Sequence, residues 1–190
     1  MLNKREEDDK MLFNKIANDY SKKDLTPYCR IARKQRLLSS LKGISKPINK
    51  MLEVGCGAGF SAEYLKGKFN QYLGIDYSKN LISYAIKNNS QNKVYFECKN
   101  INEFVTETKF DVILMIGVLH HIPQPENVIK LLSKLLSPEG IIVINEPQSG
   151  NPLIGLLRKI RKKLIAITLL IKLNFLKMKF GLYLKSVVMR

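Results

Sequence analysis

Between residues 50 and 146 short apolar runs alternate with longer segments of mixed polarity; the runs fall at 50–54, 72–75, 94–96, 112–116 and 141–144. Near-continuous apolar runs of this length predict five buried strands. The pieces between them carry helical spacing and capping residues and predict helices over 61–65, 78–87 and 125–136. Strand and helix in this alternation imply right-handed crossovers and a parallel sheet, because parallel neighbours need a long connection. Upstream, 9–17 and 31–41 read as two helices packed over one end of that sheet. The turn Pro138-Glu139-Gly140 starts the fifth strand, with proline fixing one corner and Gly140 expected to supply the unusual dihedral.

The run Leu52-Glu53-Val54-Gly55-Cys56-Gly57-Ala58-Gly59-Phe60 follows the first strand and opens a helix. Glycines there allow a tight turn and let a ligand approach amides that point outward at a helix start. A dinucleotide fingerprint, G-x-G-x-x-G, would need its third glycine at Phe60; here it is Gly59. The G-x-G-x-G spacing, with Glu53 two positions ahead, suits a ligand without a pyrophosphate but with an amino-acid end to hold. The second strand then ends in Gly74-Ile75-Asp76-Tyr77-Ser78. A carboxylate at that strand end accepts two hydrogen bonds from a ribose diol, which makes Asp76 the principal binding candidate, with Tyr77 beside it. The competing role for Asp76 is to cap the next helix, which Ser78 does as well.

The fourth strand delivers Ile116, Gly117 and Val118 to its carboxyl end, where open parallel sheets bind ligands, and His120 and His121 follow. Imidazole titrates near working pH, so either histidine is a candidate general base; lining a pocket or satisfying a backbone carbonyl is the bland alternative. Two adjacent histidines with no third ligand nearby imply no metal site.

Leu52 to Gly59 resembles the first motif of class I S-adenosylmethionine-dependent methyltransferases, and Phe110 to Pro123 is similar to the fourth-strand motif of their small-molecule members, those of quinone biosynthesis among them. The resemblance implies an α/β, Rossmann-like doubly wound fold: a mainly parallel sheet, helices on both faces, and C-terminal strands short or missing. It implies S-adenosyl-L-methionine as methyl donor, no metal, and a small-molecule methyl acceptor. It places the donor against Glu53, Gly55, Cys56, Gly57, Gly59, Asp76, Tyr77, Ile116, Gly117 and Val118. Asn100 stands where the family usually has an aspartate on the adenine amino group, and its carbonyl oxygen accepts the same bond without the charge. Ile101 falls where an apolar residue packs on the ring. Tyr20 would cap the pocket, and Arg30 or Arg33 would meet a carboxylate. A complete sheet of this class has two more strands, the last antiparallel, which 173–180 and 182–189 supply only in compressed form.

A chain of 190 residues suits one domain. The segments divide into a helical cap, 1–45, a donor-binding core, 46–150, and a basic C-terminal segment, 151–190. The formal charge of +16 is uneven, because every acidic residue lies at or before Glu146 while ten of the 32 lysines and arginines follow it. Leu153, Leu156, Leu157, Ile160, Leu164, Ile167 and Ile171 recur there at helical spacing among basic residues, after a cap formed by Asn151 and Pro152. Packing on the sheet or forming a lid is preferred to peripheral contact with an anionic membrane surface. The basic charge also suits nucleic acid, but no base-reading element accompanies it, so no specific nucleic-acid partner is expected. Cys29, Cys56 and Cys98 make neither a disulfide framework nor a zinc pattern; Cys29 and Cys98 read as small buried hydrophobes. The charged first ten residues lack a secretory stretch, so a cytoplasmic location is expected. Two further classes compete: an NAD(P)-dependent oxidoreductase, opposed by Phe60, and a donor-binding, non-catalytic remnant, favoured by the short C-terminus.

Overall fold

The computed structural model describes residues 4–24, 26–146 and 184–185. The apolar stripe of the basic segment and the expected strand at 173–180 lie outside the described residues. Helices α1 (Lys4–Asp24) and α2 (Pro27–Ser40) come first; extended Thr26 and Pro27 at the first helical position start α2. There follow β1 (Ile48–Val54), α3 (Phe60–Tyr64), β2 (Phe69–Asp76), α4 (Lys79–Asn88), β3 (Val94–Cys98), β4 (Phe110–Ile116), α5 (Pro125–Ser133), β5 (Leu136–Asn145) and a two-residue β6 (Leu184–Lys185). Single 3-10 turns, Ile101–Glu103 and Leu119–His121, follow β3 and β4.

The sheet order is β3-β2-β1-β4-β5-β6, and each of its five pairings is parallel. Because side chains alternate across a strand, β1 and β4 feed both faces. Met51, Val112 and Leu114 join Ala17 of α1, Leu37 of α2 and Leu81 of α4 in one buried cluster. Leu52, Val54, Ile113 and Met115 join Val128, Ile129 and Leu132 of α5 in the other. The strand order reverses between β1 and β4, which opens a crevice outside their carboxyl ends. At the amino ends Asp111 binds the strands together, accepting from the Asn49 and Lys50 amides at 2.8 and 2.9 Å and from Ser137 Oγ at 2.7 Å. Partial burial alone would raise its pKa, but these hydrogen bonds hold the carboxyl below the usual range.

Six expectations need correction. β3 is an edge strand in the described sheet, with Tyr95 60% exposed, rather than buried; Cys98 at its end is likewise exposed and Cys29 only partly covered, leaving Cys56 as the buried thiol. The left-handed residue of the Pro-x-Gly turn is Glu139, at φ 63°. Gly140 is needed for close approach instead, since a Cβ there would stand 2.8 Å from the Phe110 carbonyl oxygen. The same turn belongs to an irregularity inside β5, because Phe110 pairs with Leu136 while Val112 pairs with Ile141. Finally, α5 stops at Ser133, and β6 runs parallel to β5 where an antiparallel final strand was expected.

Candidate functional site

Gly55, Gly57 and Gly59 all take left-handed dihedrals, with φ of 71°, 55° and 77°. Their reasons differ. Gly55 lies beneath Val118, whose Cγ2 would be 2.3 Å from an added Cβ. Gly59 caps α3 and is wedged among Asn89, Phe96 and Ala85, with atoms of all three at 2.8 to 2.9 Å from an added Cβ. Above Gly57 there is open space. A left-handed glycine facing emptiness leaves room for a ligand to reach the backbone. Gly59→Ala combines an unfavourable dihedral with a three-sided clash and is expected to cost about 2 to 3 kcal/mol in urea unfolding, against about 1 kcal/mol for Gly57→Ala. Equal costs would show that packing does not distinguish the two.

Asp76 is 6% exposed. Its Oδ2 accepts from the Gly57 amide and its Oδ1 from the Ser78 amide, both at 2.9 Å. Ser78 Oγ in turn caps α4 through the Leu81 amide at 3.3 Å. The capping alternative is therefore real, yet each carboxylate oxygen keeps a lone pair for a further donor. Burial raises the Asp76 pKa, while the two amides and the nearby His121 oppose the rise.

Two small cavities meet at Gly55. The first, about 70 Å³, is lined by Asp76, Tyr77, Asn100, Ile101, Val118 and His121, with Asp9 of α1 closing it. The second, about 40 Å³, is lined by Glu53, Cys56, Gly57, Ile116, Arg33 and Tyr64 among others. Larger open hollows of about 650 and 520 Å³ exist, but they involve the amino ends of the strands (Pro47 and Ile48; Asn49, Lys50 and Asp111), away from the crevice. Each cavity is smaller than a nucleoside-sized site, and Asp9 of α1 borders the first. α1 is held at two points. Ser78 Oγ and the Asn80 amide reach Asn14 Oδ1 at 2.8 and 3.2 Å, and His121 Nδ1 meets Asp9 Oδ2 at 3.0 Å. Phe13 packs edge-on to His121, ring centroids 5.3 Å apart.

Glu53 is buried to 2% exposure and accepts from Ser61 Oγ at 2.8 Å and from the Tyr72 hydroxyl. Burial pushes its pKa up to about 7 against the opposing pull of both hydroxyls and Arg33. Burial likewise pushes the Cys56 thiol and the Tyr72 phenol well above their usual values. Asn100 spends one lone pair of Oδ1 on the Asn102 amide at 3.0 Å, capping the turn that carries Ile101.

Some of the sequence candidates lie elsewhere. Gly59 and Gly117 line neither cavity; Gly117, at φ 69°, ties β4 to β5 through the Asn145 carbonyl at 2.8 Å. Arg30 is paired with Glu63 on the surface at 3.0 Å, so of the two arginines only Arg33 reaches the crevice. Tyr20 lies in α1, and its side chain is outside the described residues. His120 is outside both cavities and half exposed. Sequence reasoning missed Asp9 and Glu146, the carboxylates that hold the two histidines. Asp9 precedes Phe13 by one helical turn, a spacing that puts both on one face. Among the described residues no group of three or more potential ligands suits a metal ion, and no helix is long and apolar enough to cross a membrane.

The chain is similar over 94 residues to a ubiquinone biosynthesis O-methyltransferase of Coxiella burnetii, 32% identical, covering 47% of this chain and 40% of that protein. It thus matches less than half the length of that curated relative. Among solved structures it resembles the N-methyltransferase NodS from Bradyrhizobium japonicum WM9 in complex with S-adenosyl-L-homocysteine (28% identity, TM-score 0.56, 64% of this chain and 63% of the other). It also resembles the plantazolicin methyltransferase BpumL bound to a monoazolic desmethylPZN analogue and S-adenosylhomocysteine (29%, TM-score 0.54, 68% and 51%). A methyltransferase-domain model matches residues 45–178, more than half the chain, with the glycine loop, Asp76 and both histidines inside it. The chain therefore belongs to the methyltransferase-domain family.

Proposed function

We propose that this protein binds S-adenosylmethionine and moves its methyl group to a small-molecule acceptor. The observation that carries the reading is the crevice itself: a buried Asp76 carboxylate with unused lone pairs, beside a left-handed Gly57 under open space. Asp76 would take the ribose hydroxyls, Asn100 and Ile101 the adenine, with Tyr77 and Val118 along that half. Glu53, Cys56, Gly57, Ile116 and Arg33 line the other half, where an amino-acid end needs one anion and one cation. On this reading α1 and α2 form the cap, 46–150 the donor-binding core, and 151–190 a substrate-side segment whose basic charge also suits peripheral membrane contact.

When bound, the donor supplies an activated methyl on a sulfonium sulfur. The chain's own contribution is alignment and exclusion of water, which in well-oriented systems is worth up to about 7 to 11 kcal/mol. The family relatives bound to S-adenosylhomocysteine support this reading. Phe60 and the G-x-G-x-G spacing oppose a dinucleotide. Calorimetry with S-adenosylmethionine, S-adenosylhomocysteine and NAD is the test. Binding of the first two is expected; a folded sample that binds neither at millimolar ligand, or binds NAD tightly, would overturn the proposal.

A further inference from the structure

We propose that the edge of the sheet where its strands begin, opposite the crevice, is a docking face for an anionic phospholipid surface, and that the apolar hollow beside β1 enters the headgroup layer.

In a parallel sheet every strand starts on the same side, so the residues that precede the strands gather along one edge. A lysine stands within two residues ahead of each of the first five strands. In the order in which the strands lie side by side these are Lys93 (β3), Lys68 (β2), Lys46 (β1), Lys109 (β4) and Lys134 (β5), and all five are exposed. With neighbouring strands roughly 5 Å apart, the row runs roughly 20 Å across the edge. Adjacent positions are closer than the Debye length of about 8 Å at physiological salt, so the row acts as one cationic strip. Helix ends account for Lys134 alone, which caps α5; the other four stand at least four residues past the preceding helix, beyond the reach of its dipole. Three acids share the edge, Glu107, Asp111 and Glu139. Glu139 pairs with Lys46, and Asp111 is taken up by the Asn49 and Lys50 amides and by Ser137. The carboxylates Glu53, Asp76 and Glu146 gather at the other edge, at the ends of β1, β2 and β5. The sheet is thus polarised, cationic where strands start and anionic where they finish.

Beside the row lies the open hollow of about 650 Å³, lined by Leu38, Leu41, Ile44 and Ile48 together with Lys42, Lys46 and Lys68. Leu38 is 37% exposed there. Lysines around aliphatic surface match a lipid interface, where ammonium groups meet phosphates and aliphatic groups meet the acyl boundary. A nucleic acid fits less well. Its backbone brings nothing aliphatic to such a hollow, and its binding sites favour arginine for bidentate phosphate contact and aromatic rings for stacking. The row contains no arginine, and among the described residues the strands expose one aromatic ring, Tyr95. Docking by this edge turns the crevice at the carboxyl ends away from the lipid.

The test is co-sedimentation of the full chain with vesicles of phosphatidylglycerol mixed into phosphatidylcholine, against phosphatidylcholine alone, at low and high salt. Binding to the anionic vesicles only, lost at high salt, is expected. Gln at Lys68, Lys93, Lys109 and Lys134 together should weaken it on the order of 10²- to 10³-fold, and Arg at the same four positions should preserve it. Leu38→Ser should weaken it about three- to tenfold with the salt dependence unchanged, because it removes an aliphatic contact and no charge. Melting curves separate these losses from loss of fold, and Leu38→Ser decides the matter where the fourfold Gln variant unfolds. Gln at Arg158, Lys159, Arg161, Lys162 and Lys163 is the control for the basic C-terminal segment and should cost less than the edge variant. No binding by the wild type, undiminished binding in the fourfold Gln variant or in Leu38→Ser, or an equal or larger loss in the C-terminal variant would overturn the proposal. So would a short single-stranded RNA that strips the protein from the vesicles at equal phosphate, since that assigns the edge to nucleic acid.

Discussion

Asp76→Ala is expected to weaken S-adenosylhomocysteine binding by on the order of 30- to 1,000-fold, whereas His121→Ala should weaken it only a few fold. The first figure corresponds to two hydrogen bonds to a charged acceptor, about 2 to 4 kcal/mol. The residue also holds the Gly57 amide and the Ser78 amide, so the substitution frees the open glycine of the loop as well as removing the ribose contact. Both losses act on the same ligand, and both are absent from His121→Ala, which removes a wall contact and the partner of Asp9. Calorimetric titration of the three proteins measures the difference, and melting curves separate it from loss of fold. Equal effects of the two substitutions would mean that the cavity containing Asp76 is not the nucleoside site.

The sheet was legible because its strands are short apolar runs that end at Gly, Asp or Asn, and because a parallel sheet needs helices between them. The order of elements and the carboxyl-end crevice followed from that alone. The glycine loop was legible in spacing but not in purpose. Three glycines share one dihedral class, yet Gly59 is there for packing against α4 and β3, Gly55 for Val118 and only Gly57 faces open space; sequence spacing cannot see which neighbour arrives from 30 residues away. The edge position of β3 was hidden for a related reason, since exposure of Tyr95 depends on which strands pair and not on its own run. Asp9 and Glu146 were missed because each acts on a histidine more than 20 residues distant, across the crevice rather than along an element. A carboxylate two positions after the fifth apolar run, at the ligand end of a parallel sheet, was the available signal for Glu146.

Glu53 should make the stability of the protein fall as pH rises through neutrality. Burial raises its pKa from 4.5 to about 7, so between those values the folded state holds a proton that the unfolded chain gives up. The sign follows from that difference. This contribution is fully present below about pH 4.5 and is lost as pH rises through about 7, and its size is about 3 kcal/mol. Glu53→Gln keeps a carbonyl oxygen for Ser61 or Tyr72 but does not titrate, so its stability relative to wild type should improve by about that amount between pH 4.5 and 8. Urea unfolding of both proteins across this range measures it, and parallel curves would show that Glu53 is not protonated in the folded chain. The same proton bears on function. A cationic amino group brought into the cavity beside Glu53 favours the carboxylate, so donor binding near pH 6.5 should release a proton and tighten as pH rises toward 8. Calorimetry in two buffers of different ionisation heat should give different apparent enthalpies for the wild type and the same enthalpy for Glu53→Gln. An equal difference in both proteins would place the released proton on another group.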